Sequence, residues 1–393
     1  MGDLEISVVM GLMILAASML SVELGISVAI IEILMGVLGG NLLGLHITPW
    51  VDFLAAFGSI VLTFLAGAEV DPDLLREKWK ESLLIGGFSF LLPFLGALFF
   101  AFFVAGWSFP ASEITGIALS TTSLAVVYAV LVETGLTSSQ TGKIIMAACF
   151  ITDLGVALAL SILFMQPTWW LLPFVIGSAL LIFLLPRLHP WFFARYGNRV
   201  IEPEIKGAFF ALFILMFLGE MAQSHAVLPA FLLGLAVARV FAKHRSEQQR
   251  FRVVAFAVLT PFFFIKAGMN VSLGALWSNL GLMVLFLVVK LMTKMAGVLP
   301  FARRYVAADS WFTTLLMSTG LTFGTISSFY GLRAGIINEG QFSILITVVI
   351  LSAVAPTFVA QRFFNPLVRG KGGAGLGSVA TAGTARQEGR KEE

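Results

Sequence analysis

Residues 116–165 read GIALSTTSLAVVYAVLVETGLTSSQTGKIIMAACFITDLGVALALSILFM. Two apolar stretches, 110–134 and 143–165, meet at a short polar turn. Each is close to the roughly 20 residues a helix needs to cross a hydrocarbon core of about 30 Å. The first is interrupted midway by Ser120-Thr121-Thr122-Ser123, and the second carries a single carboxylate, Asp153, with Thr152 beside it and otherwise apolar neighbours. A polar break and a lone acid are features that a helix packed only against lipid does not need.

The apolar pattern recurs outward from this segment, near 5–20, 25–45, 52–69, 82–106, 110–134, 143–165, 168–186, 206–222, 225–243, 253–270, 274–298, 308–331 and 340–361. With 58% hydrophobic and 12% charged residues and a mean hydropathy of +0.95, against about 25% charged in soluble domains, the chain predicts an all-α membrane protein. It has about thirteen spans, with the lipid bilayer as its first partner. The acidic start, Met1-Gly2-Asp3-Leu4-Glu5, has no basic n-region and predicts a retained helix. A single cysteine, Cys149, excludes intramolecular disulfides and a Cys-rich metal site.

Basic residues give the orientation, because Lys and Arg of short loops stay cytoplasmic. Arg76, Lys78 and Lys80 follow span three, Lys143 span five, and Arg187, Arg195, Arg199 and Lys206 span seven. Arg239, Lys243, Arg245, Arg250 and Arg252 follow span nine, and Arg303 and Arg304 span eleven. All come after odd-numbered spans and only Arg333 falls on the other side, which places the N-terminus outside and the C-terminus in the cytoplasm. No basic groove with interleaved aromatics speaks for nucleic acid. GLTSSQTGK at 135–143 departs from a phosphate loop in its glycine spacing and in having no Ser or Thr after its lysine. No nucleotide-binding domain is therefore expected, and the Gly/Ala/Ser/Thr-rich residues 366–393 predict a disordered cytoplasmic tail.

Weak internal similarity adds an architecture. Ala66-Gly67-x-x-Val70 repeats as Ala267-Gly268-x-x-Val271 at an offset of 201 residues; Gly36 is echoed by Gly234 at 198, and Ser120-Thr121-Thr122 by Ser318-Thr319-Gly320 at 198. Paired copies lie seven spans apart, and an odd separation inserts them in opposite senses. The result is two inverted five-helix repeats with interrupted helices at matching positions, which points to a substrate site near the bilayer midplane.

Ionisable groups inside a membrane cost roughly 2.5–3.5 kcal/mol each on insertion scales, so each is a candidate. Asp153 reads as a group that accepts H⁺ or a small cation but not both, or else as the structural partner of a buried lysine. Thr121, Thr122 and Ser123 in the break, and Thr152 beside the aspartate, either line that site or hydrogen-bond to their own helices. Lys290 and Lys294 share one face of span eleven; Lys294 either pairs with Asp153 when the cation is absent or snorkels to the surface. Lys266, in PFFFIKAG, reads as structural or gating. Glu32, Glu69 and Glu220 are secondary candidates: Glu32 as a helix tie, Glu69 as the start of a loop with Asp71 and Asp73, and Glu220 as an interfacial acid near His225.

Together, FLAGAEVD after span three, STTSLAVVYAVLVETGL running into GKIIMAACFITDLGVALAL, PFFFIKAGMNV in span ten and the lysine ahead of a glycine in span eleven resemble the monovalent cation:proton antiporter superfamily. The branch is that of bacterial Na⁺/H⁺ exchangers and Kef-type membrane domains. The resemblance implies a transmembrane antiporter domain over 1–365. In it a core (about 52–165 and 253–361) with crossed broken helices would move against a dimerisation panel (about 5–45 and 168–243) in a homodimer of the bacterial-type inner membrane. It implies that Asp153 binds the Na⁺ or other monovalent cation and the proton, that Thr122 and Ser123 help coordinate the ion, and that Lys294 pairs with the aspartate. The sequence departs at Thr152, where relatives carry Asn, Asp or Gln, and at Thr319-Gly320-Leu321, where the family has Arg-Gly-Glu. Lys266 is the expected substitute, reaching the site from span ten.

The function expected is exchange of a monovalent cation, Na⁺ first, for protons, with no cofactor. The alternatives are a K⁺/H⁺ or Kef-like K⁺ efflux pathway, a Na⁺-coupled organic anion carrier and a passive channel. No Ser/His pair or HExxH cluster supports an intramembrane enzyme.

Overall fold

The computed structural model describes residues 2–364 except 25–26, 71–76, 138, 165–167, 198, 200, 223 and 225. Asp71, Asp73, Arg76, His225 and the expected tail lie outside the described residues. Apart from short π and 3₁₀ turns, the regular elements are α-helices: α1 (Asp3–Leu24), α2 (Val28–Asn41), α3 (Pro49–Ala68), α4 (Trp79–Phe99), α5 (Phe109–Ser120), α6 (Leu124–Glu133), α7 (Gln140–Leu163), α8 (Leu171–Tyr196), α9 (Pro203–Met221) and α10 (Val227–Lys243). They continue with α11 (Arg245–Val254), α12 (Thr260–Met269), α13 (Leu273–Ser278), α14 (Leu280–Tyr305), α15 (Ser310–Met317), α16 (Thr322–Arg333) and α17 (Glu339–Phe363). Among the described residues there is no strand. Each expected span coincides with one helix or with a pair. Among the described residues eight helical stretches are long and apolar enough to cross a membrane, one of them running from Ser246 to Met269 through α11 and α12, and α2 and most of α10 are shorter apolar helices. Span eleven starts later than expected, at Leu280, because residues 273–278 form a separate turn of helix capped by Ser272.

Local chemistry sets the boundaries. Pro49 and Pro203 occupy first turns, where their missing N–H has no intrahelical partner to lose. Ser139 accepts the Gly142 N–H at 3.0 Å to start α7, and Asn338 forms a reciprocal capping box with Gln341 to start α17. These caps stand 199 residues apart, so the repeat extends to the signals that begin its last helices.

Glycines show the repeat in three dimensions. A Cβ on Gly36 (α2) would run into the Ile265 carbonyl of α12, and one on Gly268 into the Ile33 carbonyl. A Cβ on Gly67 (α3) would run into the Phe231 carbonyl of α10, and one on Gly234 into the Phe64 carbonyl. The repeat offsets carry the first pair onto the second, and close approach of this kind needs a residue without a side chain. These contacts join α1, α2, α3 and α8 to α12 in a first body. The second body is α4 to α7 with α13 to α17, where α4 packs on α7 with Gly86 against the Ala148 carbonyl and on α14 with Gly297 against the Phe88 carbonyl. The packing differs from the expected division at residues 52 and 253: α3 and α12 are locked into the panel helices α2 and α10 by the glycine pairs. The two bodies meet principally along α7 against α10 and α3 against α16.

One end of the molecule gathers ion pairs. Arg250 Nε lies 2.9 Å from Glu202 and its Nη2 3.2 Å from Glu204; His189 Nε2 lies 2.9 Å from Glu247, and Arg252 3.3 Å from Glu69. We refer to it as the basic end.

Candidate functional site

In the second body the helix pairs α5/α6 and α15/α16 are broken at matching positions and cross there. α5 ends where Thr121 turns extended (φ −64°, ψ 153°), and α16 begins after Leu321 at φ −148°, ψ −73°. Each break leaves carbonyls at one helix end and N–H groups at the next without an i, i+4 partner. The expected Ser/Thr residues answer part of that demand. Ser120 and Thr121 donate to the carbonyls of Ile117 (2.8 Å) and Ala118 (3.0 Å), and Ser318 and Thr319 to those of Thr314 and Leu316 (both 2.7 Å). With these protons directed backwards, the hydroxyl lone pairs are left as acceptors. Two contacts stitch the breaks together: Thr122 donates to the Met317 carbonyl at 2.9 Å, and the Ser123 N–H donates to Thr319 Oγ1 at 3.4 Å.

Lys294 reaches this crossing from α14. Buried completely, it donates to Thr122 Oγ1 at 2.9 Å and to Ser89 Oγ of α4 at 2.8 Å. Lys290, one turn earlier and equally buried, has no hydrogen-bond partner. Its Nζ rests against Gly320, where a Cβ would strike it and come within 2.8 Å of Thr121 Oγ1. Lysine thus occupies the space that a side chain in the second break would need.

Asp153 stands on α7, 2% exposed, with Oδ1 buried and lacking a partner. No ion pair within 4 Å joins it to Lys294 or Lys290, and Lys294 is instead held by Ser89 and Thr122. The expected Asp153–Lys294 pair is therefore open in this state, with Lys294 held by hydroxyls. Thr152 points elsewhere, to the carbonyls of Ala148 (3.0 Å) and Gly86 (3.2 Å), and ties α7 to α4.

Lys266 does not reach the crossing as expected. It pairs with Asp52 at the end opposite the basic one, with its ammonium 4.4 Å from the Phe329 ring centroid. Glu69 pairs with Arg252, Glu220 is exposed, and Glu32 is buried with Oε2 unpartnered. Among the described residues no three His, Cys, Asp or Glu side chains converge to hold a metal.

Sequence reasoning missed Ser89, Asp52 and Phe231. Ser89 had a signal: it lies 201 residues before Lys290, the repeat offset, as the polar residue of FSFLLP. Asp52 had none beyond its position at a span start. Phe231 of α10 is fully buried at the level of the crossing, stacked on Phe150 of α7 (5.4 Å, 14°) and edge-on to Phe323 of α16 (5.9 Å, 78°). The first body thereby covers the wall of the second that carries Asp153. A carboxyl oxygen without a protein partner, in a buried crossing rich in hydroxyl acceptors, can hold a proton or a small monovalent cation.

Comparison with known proteins agrees with this geometry. The chain is 26% identical over 353 residues to a Methanocaldococcus jannaschii protein named "Probable Na(+)/H(+) antiporter 3", covering 86% of this chain and 89% of that one. It is 26% identical over 370 residues to an Na⁺/H⁺ antiporter of Enterococcus hirae, with 89% of each covered. It is 22% identical to the Na⁺/H⁺-K⁺ antiporter GerN of Bacillus cereus, covering 89% and 95%. The solved structure of the sodium proton antiporter MjNhaP1 from M. jannaschii superposes with a TM-score of 0.69 at 14% identity, over 92% of this chain and 99% of that one, and shares the fold. The family model described as "Sodium/hydrogen exchanger, transmembrane" matches residues 8–364, and the chain belongs to that family of integral membrane transporters.

Proposed function

We propose that this protein exchanges Na⁺ for H⁺ by alternating access, with Asp153 binding the proton and the cation in turn. The observation that carries this reading is the partnerless, buried Asp153 carboxyl beside two crossed helix breaks. Protonated, the carboxyl is neutral and can cross a dry interface. Deprotonated, it needs a counter-charge, and a cation ligated by Asp153 and by hydroxyl or carbonyl oxygens of the breaks supplies one. Ser89 and Thr122 hold the Lys294 ammonium off the aspartate, which leaves the carboxylate open to the cation. The second body would carry the site past the first, sliding along α7/α10 and α3/α16.

The basic end is the cytoplasmic side in this reading, with the N-terminus outside, the C-terminus inside and the chain in a bacterial-type inner membrane. A homodimer is supported by α1 and α8, whose most apolar windows are only 22% and 11% buried within the chain.

The test is dye-reported proton movement in inside-out vesicles on addition of Na⁺, K⁺ or Li⁺. Wild type should respond to Na⁺ and Asp153→Asn should not. Exchange retained by the asparagine variant would overturn the assignment, and a response confined to K⁺ would replace Na⁺ as substrate.

A further inference from the structure

At the end opposite the basic one, four side chains outside the ion site help join the two bodies, beside the Phe263–Phe329 ring contact and a hydrogen bond from the Leu273 N–H to Asn41 Oδ1. Asp52 lies in the first turn of α3, Lys266 in the last turn of α12, and Phe329 and Arg333 on the closing turns of α16. Lys266 is 3% exposed and donates to Asp52 within the first body, and its ammonium faces the Phe329 ring of the second at 4.4 Å. Arg333 Nη2 lies 3.8 Å from the other Asp52 oxygen, Oδ2. The buried cation and its carboxylate therefore each have a partner in both bodies.

The inverted repeat makes the other end informative. Its offsets carry Asp52 to Val253, Lys266 to Leu65, Phe329 to Leu131 and Arg333 to Gly135. Every charge and the ring are gone. A repeat acting alone would make the two closed states alike, whereas these four residues break the symmetry at one end only. We propose that Asp52, Lys266, Phe329 and Arg333 form a latch that holds the end opposite the basic one closed and releases when the ion site turns to that side. This rests on the body movement proposed above and adds what biases it.

The latch suits repeated opening. The exposed Arg333–Asp52 pair contributes little, and the main attraction within the latch is the desolvated ammonium on an aromatic face. When α16 withdraws, Lys266 keeps Asp52, which travels with it, so no buried charge is left unpaired.

The experiment uses the full chain in proteoliposomes, with Asp52→Cys and Arg333→Cys combined in a Cys149→Ala background and bridged by a short bis-methanethiosulfonate, which joins the two thiols through reducible disulfides. Bridging should stop Na⁺-driven proton movement, and reduction should restore it. Full-rate exchange by the bridged protein, or a pair that does not bridge, overturns the latch. Absence of exchange in the wild type would instead overturn the transport reading. Phe329→Leu, which keeps the Lys266–Asp52 pair, supplies the second arm. A larger fraction of molecules open at the latch end should lower the half-saturating Na⁺ concentration measured from that end by about three- to tenfold relative to the basic end. An unchanged ratio between the two ends also overturns the proposal.

Discussion

Lys290 and Lys294 stand one turn apart on α14, yet only Lys294 has hydrogen-bond acceptors, Ser89 and Thr122. Removing one acceptor from a buried ammonium costs about 1.5–3 kcal/mol, so Ser89→Ala should lower the unfolding temperature of detergent-solubilised protein. It should also change the apparent Na⁺ affinity, because a loosened Lys294 can close on Asp153; unchanged values of both would remove Ser89 from the site. Gly320 makes the complementary case. Gly320→Ala places a methyl against Lys290 Nζ and 2.8 Å from Thr121 Oγ1, and should abolish exchange by forcing the breaks apart. Lys290→Ala added to it should restore part of the activity, and a double variant as inactive as the single one would show that the clash lies with Thr121 alone. Asp153 was legible because a lone carboxylate in an apolar run has no cheap explanation. The partners of the lysines were not. Ser89 and Asp52 are ordinary residues until folding brings them across 205 and 214 positions of chain, and the depth of Lys266 along its own helix says nothing about the helix beside it.

Helices α2 with α12 and α3 with α10 are held by backbone-to-backbone contact, so small changes there are felt as overpacking, which costs about 1–3 kcal/mol or more. Gly36→Ala and Gly234→Ala should each reduce the yield of folded protein and its unfolding temperature by similar amounts, because the repeat puts both methyls against a carbonyl oxygen. Gly281→Ala, with nothing within 4 Å of its new methyl, should be neutral. Equal stability of all three variants in a thermal-shift measurement would contradict the packing described. The repeat itself was visible in the sequence, since Gly67 and Gly268 fall in matching motifs. Which body owns α3 and α12 was not visible. That depends on Gly36 meeting Gly268 and Gly67 meeting Gly234, and chain order fixes where the four glycines fall without fixing which of them face each other. The broken helices were legible for the opposite reason: Ser120, Thr121, Ser318 and Thr319 satisfy carbonyls three or four residues back, so sequence neighbours carry the information.

The whole molecule is less symmetric than its repeat. The two bodies meet along α7/α10 and α3/α16, whereas the repeat equates these pairs with α17/α2 and α12/α6, which are not principal contacts here. A fold built from inverted halves can exchange one set for the other, and that exchange is what moves the opening from one end to the other. Residues of the second set should therefore approach only in the opposite state. The repeat mates of Lys266 and Phe329 are Leu65 and Leu131, both buried and in separate hydrophobic clusters of this structure. In a Cys149→Ala background, Leu65→Cys with Leu131→Cys should resist a short bifunctional thiol reagent whenever Asp52→Cys with Arg333→Cys reacts. Conditions that turn the site away from the basic end, such as Na⁺ supplied only on the latch side, should reverse the preference. Phe231 sets a limit on the same motion, because it covers the wall bearing Asp153 while the bodies slide. Phe231→Ala should let protons pass without Na⁺, read as dissipation of an imposed pH gradient, and Phe231→Leu should stay tight. If the alanine variant holds the gradient as well as wild type, the seal between the bodies lies elsewhere along α7 and α10.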